Sequence, residues 1–466
     1  MASLRRYSSL PPRLPDPNRT SDFSFFTVSL ALVSSLGILT YISLIPHLSD
    51  QPPPQHTLPS ESSSGFLVYP LPTRPIAHSP IVEHVIGVSV VKRSDFSGGF
   101  GGFGGTQKHF GSNGLNEEDK IFHDKYIFLE DYKDMNRNFK IYAYPHNKDD
   151  PFAHALLPVD FEPGGNYASE SYFKKVLMRS HFITKDPTKA DLFFLPFSIA
   201  RLRHDSRVGV RGIPDFIRNY TSKIRQNYPY WNRSDGADHF YVACHSTGRS
   251  AMEKAEQVKL NAIQVVCSSS YFLSGYIAHK DVSLPQIWPR QGTPPKVASS
   301  ERKKLAFFAG SINSPVREKL LQAWRNDSEI SINEGRLSTP YADGLLESKF
   351  CLHVKGFEVN TARIADALYY GCVPVIIANH YDLPFSDILN WKSFSVVVAT
   401  LDIPLMKTIL NNIGSEEYLK LQRNVLRVRK HFKWNLSPVD YDAFYMVMYE
   451  LWLRRGIVRF AISGLF

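Results

Sequence analysis

The chain has 466 residues, 43% of them hydrophobic and 21% charged, and can hold two core-forming globular domains. Its formal net charge of +10 would suit a partner such as nucleic acid, but the basic residues are scattered, so we expect no nucleic-acid partner. The densest basic cluster lies in one helical stretch and is interpreted as a solvated helix face, with a partner or lipid surface as the alternative; it consists of Arg423, Arg427, Arg429 and Lys430.

The N-terminal region predicts a membrane anchor. Residues 23–45 are uncharged and mostly apolar, which is long enough to span a bilayer. Arginines precede this segment, and positive charge ahead of a span keeps the N-terminus in the cytoplasm; they are Arg5, Arg6, Arg13 and Arg19. We therefore expect a cytoplasmic tail over 1–22, a signal anchor over 23–45 and a luminal body, with a cleaved signal peptide as the alternative.

Residues 46–137 predict a disordered stem. They contain runs of proline, serine and glycine, at 52–54, 62–64 and 97–105, that cannot bury a core.

Sequons and cysteines agree with a luminal body in an oxidising compartment. Three sequons begin at Asn219, Asn232 and Asn326, and Asn435 begins a weaker fourth because Pro438 follows it. The cysteines show no C-x-x-C spacing of the kind that binds zinc, and four cysteines allow three pairings. We expect Cys244 to pair with Cys267, since each ends a strand-like run. Cys351 and Cys372 form either a second disulfide or a pair of buried free thiols.

Residues 138–300 predict a first α/β domain. Strand-like runs at 140–144, 191–196, 239–244 and 264–267 alternate with helical stretches, which is the rhythm of a parallel sheet. One of these helices is expected at about 169–180, with Ser169 as its cap. The polar, proline-rich stretch 283–302 indicates the approach to a domain boundary.

Residues 301–466 predict a second α/β domain that opens with a strand-loop-helix unit. A strand at 305–310 ends in Gly310 and the loop that starts at Ser311. Pro315 then suits the first position of a helix, and Arg317 falls in its first turn. Helices near 416–431 and 439–455 close the chain.

A second unit of the same kind follows at 350–378. A strand leads to the glycine turn at Gly356, and Glu358 lies on the loop. The next helix starts after the pair at 360–361, carries Arg363 in its first turn and ends at Gly371. Cations are disfavoured at a helix N-terminus, so the repeated arginine indicates an anionic ligand such as a diphosphate. Ordinary surface arginines are the alternative.

Several separated motifs occur in the order known from one family. They are Ala190–Phe197, Tyr228–Arg233, Gly236–Phe240, Lys280–Pro285, Leu305–Gly310, Phe350–Leu352, Gly356, Glu358–Val359, Arg363 and Gly371–Val375. In this respect the chain resembles the plant exostosin-like glycosyltransferases over roughly residues 138–456.

The resemblance implies a GT-B architecture, in which two Rossmann-like domains face a cleft. It implies an acceptor-side domain over 138–300 and a nucleotide-sugar-binding domain over 301–466. It further implies an inverting transfer from a nucleoside diphosphate sugar, such as a UDP-sugar, to a glycan hydroxyl, without a metal or other cofactor. The resemblance implies a location in the Golgi membrane and a role in cell-wall polysaccharide or glycoprotein synthesis. It is also compatible with oligomers with other glycosyltransferases.

The transfer assigns roles to individual residues. The leaving diphosphate is expected to meet positive and backbone groups at Gly310, Ser311, Gly356, Arg317 and Arg363. Glu358 is expected to hold ribose or donor-sugar hydroxyls.

The base that takes the acceptor proton is expected to be Asp238 or His239, with His245 as the further nominee. The alternative function is a catalytically silent luminal glycan-binding protein of the same fold. A Rossmann oxidoreductase is disfavoured because the first strand is not followed by G-x-G-x-x-G.

Overall fold

The computed structural model describes residues 119–463, except 249, 273–274 and 336. The predicted cytoplasmic tail, signal anchor and most of the predicted stem therefore lie outside the described residues. Over the part of the chain that is described, no helix combines the length and apolar character needed to cross a membrane.

The described residues form two five-stranded parallel sheets, which confirms the predicted α/β class. The first sheet contains β1 (Ile141–Ala143), β2 (Leu192–Phe194), β3 (His239–Ala243), β4 (Ile263–Val266) and β5 (Val282–Ser283). The second contains β6 (Lys304–Ala309), β7 (Ile330–Asn333), β8 (Ser348–Val354), β9 (Val373–Ile377) and β10 (Val396–Val397). The strands are short, and most of their residues are buried. Helices cover both faces of such a parallel sheet. The predicted division near residue 300 falls between β5 and β6.

Twelve α-helices are described in residues 119–463. They are α1 (Lys125–Asn138), α2 (Ala153–Leu156), α3 (Ala168–Leu177), α4 (Ile199–Leu202), α5 (Gly209–Asn227), α6 (Glu256–Asn261), α7 (Pro315–Trp324), α8 (Tyr341–Glu347), α9 (Arg363–Tyr369), α10 (Met406–Asn411), α11 (Ser415–Val428) and α12 (Ala443–Ser463).

The two sheets differ in strand order. The first runs β1-β2-β3-β4-β5, whereas the second runs β10-β9-β8-β6-β7. In the second sheet the chain leaves β6 for β7 on one side and then returns to place β8 on the other side. This reversal creates a switch point between β6 and β8, and ligands of open α/β sheets bind beyond the carboxyl ends of the strands at such a point.

Two local expectations are corrected. Ser169 does not cap α3: the helix begins at Ala168, and the Ser169 hydroxyl donates to the Pro285 carbonyl oxygen at 2.7 Å. The stem prediction is wrong at its C-terminal end, because α1 is an ordered helix whose buried side chains are Phe128, Tyr132 and Met135. These three residues, spaced by four and three positions, place one apolar face of the helix in the core.

The two ends of the described chain cross between the halves. Near its start, Phe122 forms an antiparallel bridge with Leu389 of the second half. The last helix, α12, returns to the first half: Phe444 packs against Phe173 at 5.8 Å between ring centroids, and Arg454 donates to the Asp281 carbonyl oxygen. The first domain is therefore completed by the last helix of the chain.

Both pairs of cysteines form disulfides. The predicted Cys244–Cys267 bridge is confirmed and joins the carboxyl ends of the neighbouring strands β3 and β4. Cys351 and Cys372 are also bridged, which connects β8 to the start of β9, so the free-thiol alternative is wrong.

Candidate active site

A cleft of about 430 Å³ lies between the two halves, and both contribute side chains to its wall. The first half supplies Asn166 and Tyr167 before α3, together with Cys244 and Ser246 after β3. The segment that joins the halves supplies Gln286, Trp288 and Arg290. The second half supplies Asn313, Arg317, Tyr341, residues 356–358, residues 360–363 and Asp366. Of the predicted donor-site residues, Arg317, Gly356, Glu358 and Arg363 line this cleft.

Arg317 connects the two loops that follow β6 and β8. Ser314 caps α7 through its side chain and Pro315 opens the helix, so Arg317 is fixed in the first turn. Its guanidinium donates to the Ser311 carbonyl oxygen at 2.8 Å and to the Val354 carbonyl oxygen at 3.2 and 3.0 Å. The side chain is 4% exposed. Arg317 thus fixes the two loops that surround the cleft and also lines the cleft.

Arg363 is the first residue of α9, and its guanidinium points back to the end of β6. Nε and Nη2 both donate to the Ala309 carbonyl oxygen, at 3.1 and 2.7 Å. No described residue accepts a hydrogen bond from Nη1 of Arg363. This nitrogen is not fully buried. Arg363 therefore presents a donor that a ligand in the cleft can use.

Two glycines allow these guanidinium groups to approach the backbone. A Cβ atom at Gly310 would overlap Nη2 of Arg363, and a Cβ atom at Gly356 would lie 2.7 Å from Nη2 of Arg317. Ser311 contributes its carbonyl oxygen to Arg317. The structure thus brings Gly310 and Ser311 into contact with the arginines, although neither lines the cleft itself.

The two guanidinium groups concentrate positive charge at the switch point. Both lie over the Phe308 ring, with Cζ atoms 5.4 Å (Arg317) and 5.1 Å (Arg363) from its centroid. In the described part of the chain, no carboxylate forms an ion pair with either group. Burial, and after it the charge of Arg363, lowers the pKa of Arg317 to about 10, and burial likewise lowers the pKa of Arg363. The Asp366 carboxylate offsets part of the charge of Arg363 without forming an ion pair with it, and buried cations that lack an ion-pair partner favour an anionic ligand.

Carboxylates are also present around the arginines. Glu358 accepts a hydrogen bond from the Ser268 hydroxyl of the first half, so it connects the two halves across the cleft. Asp366 forms an ion pair with Arg290 at 2.8 Å, and burial raises the pKa of Asp366. These groups can accept hydrogen bonds from sugar hydroxyls.

Asp238 and His239 do not reach the cleft. They lie at the amino end of β3, are 1% and 0% exposed, and line no part of the wall. The Asp238 carboxylate accepts from Arg233 at 2.7 Å, and His239 lies between Asp238 at 2.8 Å and the Tyr144 hydroxyl at 2.7 Å. This closed network satisfies both side chains inside the core. The structure therefore contradicts their nomination as the base.

His245 follows the carboxyl end of β3 and lies next to the cleft wall. Its ring packs against Tyr167 at 4.4 Å between centroids. Nε2 accepts a hydrogen bond from Arg203, and Nδ1 lies 3.1 Å from the Thr247 backbone nitrogen. Burial and the charge of Arg203 lower the pKa of His245 to about 4, so the imidazole is neutral near neutral pH. Of the three nominated bases, only His245 is placed beside the cleft.

The residues that line the cleft from outside the second domain were not predicted from the sequence. Tyr167, Trp288 and Arg290 carry no local signal, since each meets the site only through the packing of the two halves. Asp366 had a usable signal: it lies one turn after Arg363 on α9 and thus faces the same side of the helix.

Comparison with known proteins supplies the family. Residues 135–413 match the model of the Exostosin GT47 domain. The chain belongs to the exostosin GT47 family. A probable glycosyltransferase of Arabidopsis thaliana is 38% identical over 72% of this chain and 64% of its own length. A second probable glycosyltransferase of Arabidopsis thaliana is 36% identical over 74% of this chain and 75% of its own length.

The name of a more distant relative specifies a sugar and a linkage. A probable beta-1,4-xylosyltransferase of Arabidopsis thaliana is 28% identical over 55% of this chain and 67% of its own length. The family of this chain is thus a glycosyltransferase family, and the recognised resemblance to plant exostosin-like glycosyltransferases is confirmed.

Proposed function

We propose that this GT47 chain transfers a sugar from a nucleoside diphosphate sugar to a glycan hydroxyl, with inversion, in a GT-B arrangement of its two α/β halves. The observation that carries the proposal is the pair Arg317 and Arg363, which have no carboxylate partner in the described residues and meet at the switch point between β6 and β8. A departing diphosphate needs this positive charge. We also propose UDP as the nucleotide and a metal-independent reaction, because two guanidinium groups can supply the charge that a divalent ion supplies elsewhere.

The acceptor side of the reaction is assigned to the first half. An acceptor hydroxyl that enters between Tyr167 and Ser246 would face the donor held by the second half. His245 is the proposed base, because its neutral imidazole can take a proton once Arg203 releases Nε2. Glu358 is proposed to accept hydrogen bonds from donor hydroxyls.

Donor binding is tested by calorimetry with UDP on the full-length protein. Arg363→Ala should weaken binding by about ten- to a hundredfold, since a hydrogen bond to a charged group contributes roughly 1.5–3 kcal/mol. Arg363→Lys should restore only part, because the planar fork is lost. Arg325→Ala is the matched control, since Arg325 is exposed at the end of α7. Wild-type affinity in Arg363→Ala would contradict the proposal.

Turnover separates a transferase from a silent glycan-binding protein. A panel of nucleotide sugars, offered with a mixture of glycan acceptors, should give release of nucleotide diphosphate that depends on the acceptor. Binding of UDP without turnover of any donor would favour the silent alternative.

We propose a luminal body behind a type II anchor in the Golgi membrane, with roles in cell-wall polysaccharide or glycoprotein synthesis and in oligomers with other glycosyltransferases. Two disulfides and the exposed sequon residues Asn219, Asn232 and Asn326 support an oxidising, glycosylating compartment. Sealed microsomes test the topology: a C-terminal tag should resist protease until detergent is added, and an endoglycosidase should reduce the mass. Degradation of the tag in intact vesicles would exclude a luminal body.

A further inference from the structure

A second groove of about 420 Å³ adjoins the cleft. Trp288, Arg290 and Asp366 line both spaces, so the cleft and the groove share a wall. The remainder of the groove is formed by Tyr172 of α3, by further residues of the segment that joins the halves, by α9, by the end of α11 and by the segment that follows α11, up to Trp434. The groove therefore lies directly beside the cleft.

The groove is strongly cationic. Five positive side chains line it: Arg290, Arg427, Arg429, Lys430 and Lys433. Asp366 is the single acidic residue of its described lining, and Asp366 already pairs with Arg290. Within residues 119–463 no carboxylate lies within ion-pair distance of the other four cations. A 3-10 helix, Arg429–Phe432, directly continues α11 and has Lys433 as its C-cap, so these four cations cluster at one helical C-terminus, which favours positive charge.

Aromatic side chains accompany the charges. Trp288, at the shared wall, is 46% exposed, so its ring is accessible to a ligand. Tyr172 and Trp434 have ring centroids 6.3 Å apart and ring planes inclined by 30°, and Tyr369 and Phe432 complete the aromatic lining. An aromatic face can cover the C–H side of a sugar ring while the hydroxyls at the ring edge keep their hydrogen bonds.

We propose that this groove binds an acidic stretch of the acceptor, with uronate carboxylates at Lys430 and Lys433 and a sugar ring against Trp288. The inference rests on the proposed function, because it treats the groove as the approach of an acceptor to the transfer site. An anionic membrane surface would also meet the cations, but a flat surface does not account for a concave groove that shares a wall with the cleft. The acidic glycan explains the charge, the aromatic lining and the shared wall together.

The test compares two ligands of equal length on the full-length protein. One is a labelled oligogalacturonate, and the other is the same oligosaccharide after its carboxylates are reduced to primary alcohols. The acidic form should bind, with an affinity that falls as salt is added, and the reduced form should bind about tenfold more weakly. The double variant Lys430→Gln/Lys433→Gln should lose about the same factor. The charge-matched control Lys148→Gln/Lys303→Gln changes exposed lysines that line neither space and should bind as wild type.

UDP affinity, measured on the same samples, separates this inference from the proposed function. Unchanged UDP affinity in the double variant, with weakened oligogalacturonate binding, supports the groove. Equal binding of the acidic and reduced ligands, with normal UDP affinity, overturns the groove assignment and leaves the transferase proposal standing. Binding of the acidic ligand by a protein that does not bind UDP overturns the acceptor role. Binding of phosphatidylserine vesicles in place of oligogalacturonate, lost in the double variant, would identify a lipid surface and overturn the inference.

Discussion

Gly310 lies against the guanidinium of Arg363 so closely that a Cβ atom at position 310 would overlap Nη2. Gly310→Ala should therefore push the guanidinium away from the Ala309 carbonyl oxygen and weaken UDP binding by about tenfold, while the fold survives because a side-chain end can move. Calorimetry with UDP measures the loss. Gly164→Ala is the control, since a Cβ atom there meets nothing within 4 Å. Normal affinity in Gly310→Ala would mean that the observed position of Arg363 does not matter for the nucleotide.

Arg317 should behave differently from Arg363, because its donors hold the loops. Arg317→Met removes the hydrogen bonds to Ser311 and to the buried end of β8 at Val354. We expect the free energy of unfolding to fall by about 2–3 kcal/mol, together with a loss of UDP affinity. Denaturant unfolding with the disulfides intact measures the first effect. If Arg317→Met loses UDP affinity but keeps the wild-type free energy of unfolding, then Arg317 contacts the ligand without stabilising the loops.

Asp238 and His239 should act on stability rather than on transfer. Asp238→Asn removes the charge of a buried carboxylate that pairs with His239 and with the partly exposed Arg233, so we expect the free energy of unfolding to fall by about 1–3 kcal/mol. UDP affinity and transfer rate, corrected for the folded fraction, should stay near wild type. A stable Asp238→Asn variant with a transfer rate reduced by orders of magnitude would return Asp238 to the role of base.

His245→Gln tests the remaining nominee. Glutamine keeps hydrogen-bonding groups and removes basicity, so UDP affinity should stay unchanged while the transfer rate falls by about 10²–10⁴-fold. The pH profile distinguishes a base from a merely structural residue: the wild-type rate should decline as His245 becomes protonated at acidic pH, and the variant should lack that limb. Normal transfer by His245→Gln would move the base to another group.

The burial of His353 should make the free energy of unfolding depend on pH. Burial lowers its pKa to about 3, because the imidazole is enclosed below the cleft, where Nε2 donates to the Val359 carbonyl oxygen at 2.9 Å. The unfolded chain binds a proton below about pH 6.5, whereas the folded chain does not until about pH 3, so stability should fall as the pH drops through this window. Unfolding free energies near pH 7 and pH 5 should differ less in His353→Gln than in wild type, and equal differences would contradict the assignment.

Local patterns predicted where Arg317 and Arg363 lie in the fold. The units that carry Arg317 and Arg363 are strand, loop and helix in direct succession, so short-range signals such as Pro315 and Gly356 determine them. The carboxyl ends of parallel strands meet at one edge of a sheet, which brings the two arginines together without any knowledge of the rest of the fold.

The first half was harder to predict because its polar residues form hydrogen bonds with partners that are distant in the sequence. Asp238 resembles a catalytic carboxylate in sequence, and only the packing of Tyr144, nearly a hundred positions away, shows that its network is closed. Trp288 and Arg290 looked like part of a linker. The apolar spacing of α1 was detectable, but its partner, α12, lies at the opposite end of the chain.

The return of α12 to the first half has a consequence for biosynthesis. The residues of the first sheet leave the ribosome early, yet Arg454, which binds the Asp281 carbonyl oxygen, and Phe444, which packs on Phe173, emerge only after the whole second sheet. The apolar surface of the first half that α12 covers therefore stays uncovered until α12 has been synthesised, and such transiently exposed surface promotes aggregation. A stop codon before Ala443 would leave an otherwise complete second sheet attached to a first domain that cannot close.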